Sequence, residues 1–284
     1  MSLLTSTTNV GGLLPEQWGP LLIEPIQALS LAFNPFVATQ VMTDAHTFHI
    51  PVVNTDAASS WVAEGAEITP SDPSISELNV VPTKAAGLVI ISSELANDSS
   101  PAAAEVVGQS LARSIAQTID GAFFGNAAAP APAGLGSLAN ASVSRVVAGT
   151  APTNLDAFAQ AISLVEQDAA EITAFVANPA DALMVAQLKT GTGFNAPLLG
   201  TDATNGTARQ ILGIPLLVSP RVPVGVIWGM AANRNYTVLR TDVSVTADAS
   251  VFFTSDRIAV RATVRVAFGF PTPRAVAKIA LAAS

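Results

Sequence analysis

Residues 257–270, RIAVRATVRVAFGF, alternate with a period of two almost without fault. Ile258, Val260, Ala262, Val264, Val266, Phe268 and Phe270 fall on one side, and Arg257, Arg261 and Arg265 on the other. Successive side chains of a strand point to opposite faces, so the pattern predicts a long strand with an apolar face and an arginine row. The chain must therefore build a sheet with one buried face and supply something apolar to cover it. An ordinary solvated sheet face accounts for the arginines taken alone.

A second stretch does not fit a protein folded only on itself. SSWVAEGAEITPSDPSISEL, residues 59–78, lies between the strand-like runs TFHIPVV and LNVVPTKAAGLVIIS, and has one tryptophan, four acids, two prolines and no base. A hairpin needs about two to five connecting residues, so the excursion is far too long for a turn. Charge is lopsided along the whole chain. Residues 1–112 hold eleven acids and one base, residues 113–284 ten acids and twelve bases. Such asymmetry suits a protein whose N-terminal half meets the C-terminal half of another copy.

The remaining elements follow from spacing and caps. Pro15, Pro20, Pro25 and Pro35 forbid a long helix near the start, leaving an extended arm with at most a short helix over 26–31. Asp98, Ser99 and Ser100 offer N-caps and Pro101 a first helical position; Val107, Leu111, Ile115 and Ile119 then form a stripe running to about Phe124. A low-complexity connector, GNAAAPAPAG, follows. Leu155, Phe158, Ile162, Val165 and Ala169 predict a second helix beginning near Asn154, and Asn178 with Pro179 opens a third. KTGTGFNAPLLGTDATNGTARQ reads as a loop leading to the strand ILGIPLLV. VGVIWGM and NYTVLRTDVSV read as further strands before 257–270.

Catalytic signatures are missing or out of context. GTGFNA (191–196) follows a helix and runs into Pro197, whereas a dinucleotide site needs strand, loop, then helix. His46 and His49, three apart on a strand, face opposite sides and cannot share a metal. Glu64 and Glu67 lie in a glycine-flanked loop with nothing to raise either pKa or hold their separation. No catalytic, metal or cofactor site is expected. Cysteine is absent, which excludes disulfides and thiolate metal sites. The net charge of −8 argues against a dedicated nucleic-acid binder. Half the residues are hydrophobic and mean hydropathy is +0.46. No apolar run nears the roughly 18 residues of a spanning helix, so no membrane role is expected and subunit contact is the outlet for the apolar excess.

Taken in order, these segments resemble the tailed-phage major capsid proteins with the Hong Kong 97-type fold. The IPVV strand is followed by WVAEGAEITPSD, then by NVVPTKAAGLVIISSELANDS, then by a capped helix ending AQTIDGAFFGN. ILGIPLLVSPRVP, IWGMAANRNYTVLRTDVSV and FFTSDRIAVRATVRVAFGFPTPRAV complete the series, which covers about residues 15–280. The resemblance implies an α+β fold. It divides the chain into an N-terminal arm (1–47), an extended β-hairpin loop (48–86), a peripheral domain with a long spine helix (87–129), an axial domain (130–225), and peripheral-domain strands with the C-terminus (226–284).

The implied role is structural. Copies would form hexamers and pentamers that close an icosahedral head shell around double-stranded DNA. Partners would be other copies, a portal protein, packaged DNA by weak non-specific contact and, as optional additions, separate scaffolding and decoration proteins. The location would be the virion, assembled in the host bacterial cytoplasm. Trp61, Glu64, Glu67 and Asp72 on the loop are the candidate contacts to a neighbour, with Arg257, Arg261 and Arg265 as the receiving face. Asp202 and Asn205 would lie on a loop near the capsomer axis. Some members join subunits through a loop lysine; here no lysine precedes Lys84, so contact is expected to be non-covalent. The chain enters the arm at once, without a charged scaffolding segment. The alternative within the fold is an encapsulin-like shell enclosing cargo enzymes; a soluble monomeric enzyme is the third reading, supported only by length.

Overall fold

The computed structural model describes residues 29–65, 67–92, 101–149, 152–189, 191, 198–199, 209–248 and 250–281. The period-two run becomes β11 (Arg257–Gly269), one of the two inner members of a four-stranded sheet. It pairs antiparallel with β10 (Tyr236–Asp248) on one side and with β4 (Thr83–Ser92) on the other. β1 (Thr39–Thr43) adds to β10 in parallel, giving the order β1-β10-β11-β4.

The apolar face of this sheet is covered by α1 (Pro101–Phe124). Leu111, Ile115 and Ile119 are buried at four-residue spacing, with Ala112 and Ala116 between them, against Val260, Ala262, Val264, Val266 and Phe268. Gly87 of β4 permits the approach, since a Cβ there would meet Leu111 Cδ1 at 2.4 Å. At the helix end, Phe123 packs edge-on against Phe124, Phe268 and Phe270, with centroids 4.9, 4.9 and 5.7 Å away. Each fully buried side chain of this size contributes about 1.5–3 kcal/mol.

A six-stranded sheet forms the second body. Its order is β5 (Ser144–Val147), β12 (Ala277–Ala280), β9 (Val226–Met230), β6 (Ala174–Ala177), β8 (Ile214–Val218) and β7 (Gln210–Ile211). β6 is buried at every position, as a central strand covered on both faces requires. Helices α2 (Asp156–Gln167) and α3 (Pro179–Ala186) share a core with this sheet. Asn178 Oδ1 accepts from the Ala180 amide and Pro179 opens α3, the predicted cap. The remaining strands, β2 (Phe48–Thr55) and β3 (Ser74–Val80), form a separate two-stranded ribbon.

Several expectations need correction. LNVVPTKAAGLVIIS is not one returning strand but parts of β3 and β4, which serve different sheets. The break falls at Val81 and Pro82, where proline removes a ladder donor. ILGIPLLV is likewise a hairpin: Leu212 (φ 53°) and Gly213 (φ 85°) make the two-residue turn between β7 and β8. α2 stops at Gln167, short of Ala169, which is left-handed at φ 52°. The Ala169 and Ala170 amides donate back to the Glu166 and Val165 carbonyls, closing the helix. The connector after α1 is exposed over 126–130, but Gly134 is buried on the helix end. The proposed caps Asp98, Ser99 and Ser100, the arm helix as far as residue 28, and most of the glycine-rich loop lie outside the described residues.

Candidate functional site

The ribbon carries the first set of candidate residues. Its base is held by the chain's own body: Ile50 and Val80 are buried with Val238 and Ala267, and Phe48, Leu78 and Tyr236 pack around them. Gly269 makes room, for a Cβ there would come within 2.6 Å of Ile50 Cδ1. Beyond the paired strands the chain runs out without regular structure, and Trp61 is fully exposed there at 105%. Glu64, Glu67 and Asp72 are also exposed. Among the described residues these three carboxylates make no hydrogen bond or ion pair. Ser71 ties the tip together by donating to the Ala58 carbonyl (3.1 Å). His49 Nδ1 lies 2.6 Å from Glu77 Oε1, an exposed pair across the ribbon. His46 sits in the bend before β2 rather than on a strand, so the two histidines are separated by backbone geometry as well as by face.

The second set lies on the four-stranded sheet, on the face away from α1. Arg257 and Arg261 are exposed and Arg265 half-buried. Register adds two bases that the sequence pattern had not linked to them. Arg265 is directly opposite Lys84 on β4 and Arg240 on β10, and Thr43 of β1 ends the same row. Three bases thus share one row of the sheet face. Asp248 faces the same way beside Arg261, since Asp248 pairs Ala259 and Thr246 pairs Arg261. Its pKa is lowered first by the Ser250 hydroxyl and amide, with the Arg261 charge a smaller contribution. Between the bases, Leu88 and Ile90 of β4 are 60% and 43% exposed, with Leu88 directly opposite Arg261. The face is thus mixed, cationic and apolar.

Another cationic row was not anticipated. Arg145, Lys278 and Trp228 align across β5, β12 and β9. The Lys278 Nζ donates to Asn140 Oδ1 (2.9 Å) and stands 5.6 Å from the Trp228 ring centre. Burial, then the neighbouring Arg145, lower its pKa. Only strand pairing brings these residues together, and no local motif signals it. Asp202 and Asn205 lie outside the described residues.

Among the described residues no group of acids and histidines is placed to hold a metal, and no helix is long and apolar enough to cross a membrane. What the arrangement offers is surface: an acidic ribbon with an unburied tryptophan, and a cationic face with unburied leucine and isoleucine.

Residues 10–281 match the family model described as the phage capsid family. Comparison with curated proteins gave no match. Among solved structures, the capsid of the native GTA particle is similar at TM-score 0.70 and 23% identity, with 89% of this chain and 91% of that one covered. A structure from Microbacterium phage Oxtober96 is similar at TM-score 0.73 and 21% identity, covering 89% and 91%. One from Mycobacterium phage Adephagia gives TM-score 0.71 and 17% identity, covering 90% and 91%. All three share the α+β architecture of this chain over nearly its whole length.

Proposed function

The chain belongs to the phage capsid family, and on that premise we propose that it is the major capsid protein of a tailed double-stranded DNA phage, repeated through hexamers and pentamers to close an icosahedral head. The observation that carries this reading is the family match across 10–281 on a chain whose ribbon and sheet face are each unfinished alone. A structural role places the protein in the virion.

The finer reading concerns contact. The ribbon tip of one copy lies over the cationic sheet face of the next, with Trp61 as apolar anchor and Glu64, Glu67 and Asp72 directed at Arg257, Arg261 and Arg265. A single exposed ion pair is worth only about 0–1 kcal/mol. Repeated at every subunit, such contacts still close a shell, and weak individual contacts let misplaced subunits leave. Without a lysine on the ribbon, the contact is non-covalent. Partners on this reading are further copies, a portal protein, packaged DNA by weak non-specific contact and, where the system uses them, separate scaffolding and decoration proteins; assembly takes place in the bacterial cytoplasm.

Sedimentation and negative-stain imaging of the purified protein test the whole. Closed particles of many megadaltons are expected, and a stable monomer overturns the reading. Glu64→Lys with Glu67→Lys is expected to impair closure; normal shells from that variant remove the ionic contact. Cargo enzymes co-purifying in place of DNA would favour the encapsulin-like alternative.

A further inference from the structure

Three cations gather at one end of the six-stranded sheet, in a chain that carries 21 acids against 13 bases. Register sets Lys278 of β12 beside Arg145 of β5. The turn Pro273–Ala275 brings Arg274 to the same place. That turn is pinned to β5: the Ser144 hydroxyl donates to the Arg274 carbonyl (2.7 Å) and the Ser144 amide to the Val276 carbonyl (3.0 Å). These residues belong neither to the ribbon nor to the cationic face of the four-stranded sheet.

Arg145 and Arg274 line a cavity of about 480 Å³. Asn140 and Ser144 line it from the β5 side, and Gln167 and Asp168 from the C-terminal end of α2. Lys278 reaches this lining from β12, where its Nζ donates to Asn140 Oδ1 (2.9 Å). The lowering of its pKa, by burial and then by Arg145, reflects the same crowding of positive charge. Arg274 is exposed. Among the described residues, its guanidinium and the Asp168 carboxylate make no hydrogen bond or ion pair, although both line the one cavity.

A guanidinium presents a planar fork of donors that matches the oxygens of a phosphate. Two guanidinium groups beside an ammonium suit a dianion better than a single carboxylate. The volume falls within the roughly 300–1,000 Å³ of small-molecule sites, more than a bare phosphate fills. Asp168 repels an anion but accepts from a hydroxyl or amine, and Gln167 both donates and accepts. One side of the cavity is thus cationic and the other polar without being cationic. We propose that it binds a phosphate ester, with the phosphate between Arg145 and Arg274 and the esterified group toward Gln167 and Asp168. Such a phosphate is carried by a free nucleotide or by a nucleic-acid strand. The inference does not depend on the contacts that build a shell.

Calorimetric titration of the whole chain with adenosine monophosphate, with adenosine and with a short DNA duplex tests it. The monophosphate is expected to bind, and adenosine to bind at least about tenfold more weakly. Arg274→Gln should weaken the monophosphate by about tenfold or more, as loss of a charged hydrogen bond does. Arg113→Gln removes the same charge from an exposed site on α1 and should change nothing. Binding of the duplex alone, with the same dependence on Arg274, supports the site and makes a strand its source. Binding of neither phosphate, equal binding of adenosine, or equal losses in the two variants overturns the inference. Should Arg274→Gln fail to fold, phenylglyoxal modification of the wild-type chain decides. The bound ester is expected to slow the reaction at Arg274 and not at Arg113, and unchanged rates at both overturn the inference.

Discussion

Ser30 donates its hydroxyl to Asp120 Oδ1 across 2.6 Å, joining the N-terminal segment to the C-terminal part of α1. The Leu31 and Ala32 amides donate to the same carboxylate at 3.3 and 3.2 Å. Asp120 is only 4% exposed and is the polar residue through which the segment grips the helix. Thr237 assists from β10 by donating to the Ala32 carbonyl (2.7 Å). Replacing Asp120 by Ala strands these donors in a buried site, at a cost of about 2–3 kcal/mol. Thermal unfolding should register that loss; an unchanged melting temperature would mean the segment is held by packing alone.

The same carboxylate has an unusual pH signature. Burial raises its pKa above the ordinary aspartate value, against the lowering effect of the Ser30, Ala32, Leu31 and Ser219 hydrogen bonds. The folded state therefore holds its proton more tightly than the unfolded one. Stability linked to Asp120 is present below the unfolded pKa and is lost as pH rises through the folded value. Wild type should gain stability relative to Asp120→Asn as pH falls from neutrality into the carboxylate range. Parallel melting curves for the two proteins at every pH would contradict this.

Gly134 fits against the end of α1 where no side chain can. A Cβ there would lie 1.9 Å from the Ala122 carbonyl oxygen and 2.7 Å from those of Gly125 and Phe123. These are backbone atoms, so relief requires moving the helix end that carries Phe123 and Phe124. Gly134→Ala is expected to cost more than about 4 kcal/mol and to abolish soluble folded protein. Recovery of a protein with native melting behaviour would refute the close approach.

Ala169 offers the opposite case. It closes α2 in a left-handed conformation that suits glycine better than any residue with a Cβ. Ala169→Gly should stabilise the fold by about 1 kcal/mol, seen as a higher denaturant midpoint with unchanged slope. A lower midpoint would show that the alanine methyl is needed where it lies.

Trp61 separates folding from assembly. It touches nothing in its own chain to a degree that burial registers, so Trp61→Ala should leave subunit melting unchanged. If it is the anchor of a subunit contact, its loss should weaken that contact by about 2 kcal/mol or more and raise the concentration at which particles form. Unaltered assembly would remove Trp61 from the contact.

Much of the fold can be read from the sequence because its signals are local. The alternation of 257–270 needs only the pleat of a strand, the stripe from Val107 to Ile119 only the helical period, and the Asn178 cap only its own next turn. The two breaks missed, at Pro82 and at Leu212–Gly213, have the same cause. Each apolar run is continuous in composition, and only a change of hydrogen-bonding partner divides it. Of the candidate site, Trp61, the loop acids and the three arginines of β11 were visible as unusual residues. Their neighbours were not, because Lys84 and Arg240 are far from Arg265 in sequence.

By itself, then, the sequence determined the long strand over 257–269 and which of its faces is buried, the stripe of the long helix, and that an acidic, tryptophan-bearing excursion is too long for a simple turn. Tertiary structure alone decided the register that sets Lys84 and Arg240 beside Arg265. The reason is physical. Periodicity is a property of one segment, whereas a surface is made by pairing between segments, and one residue of slip in that pairing moves every side chain to the other face.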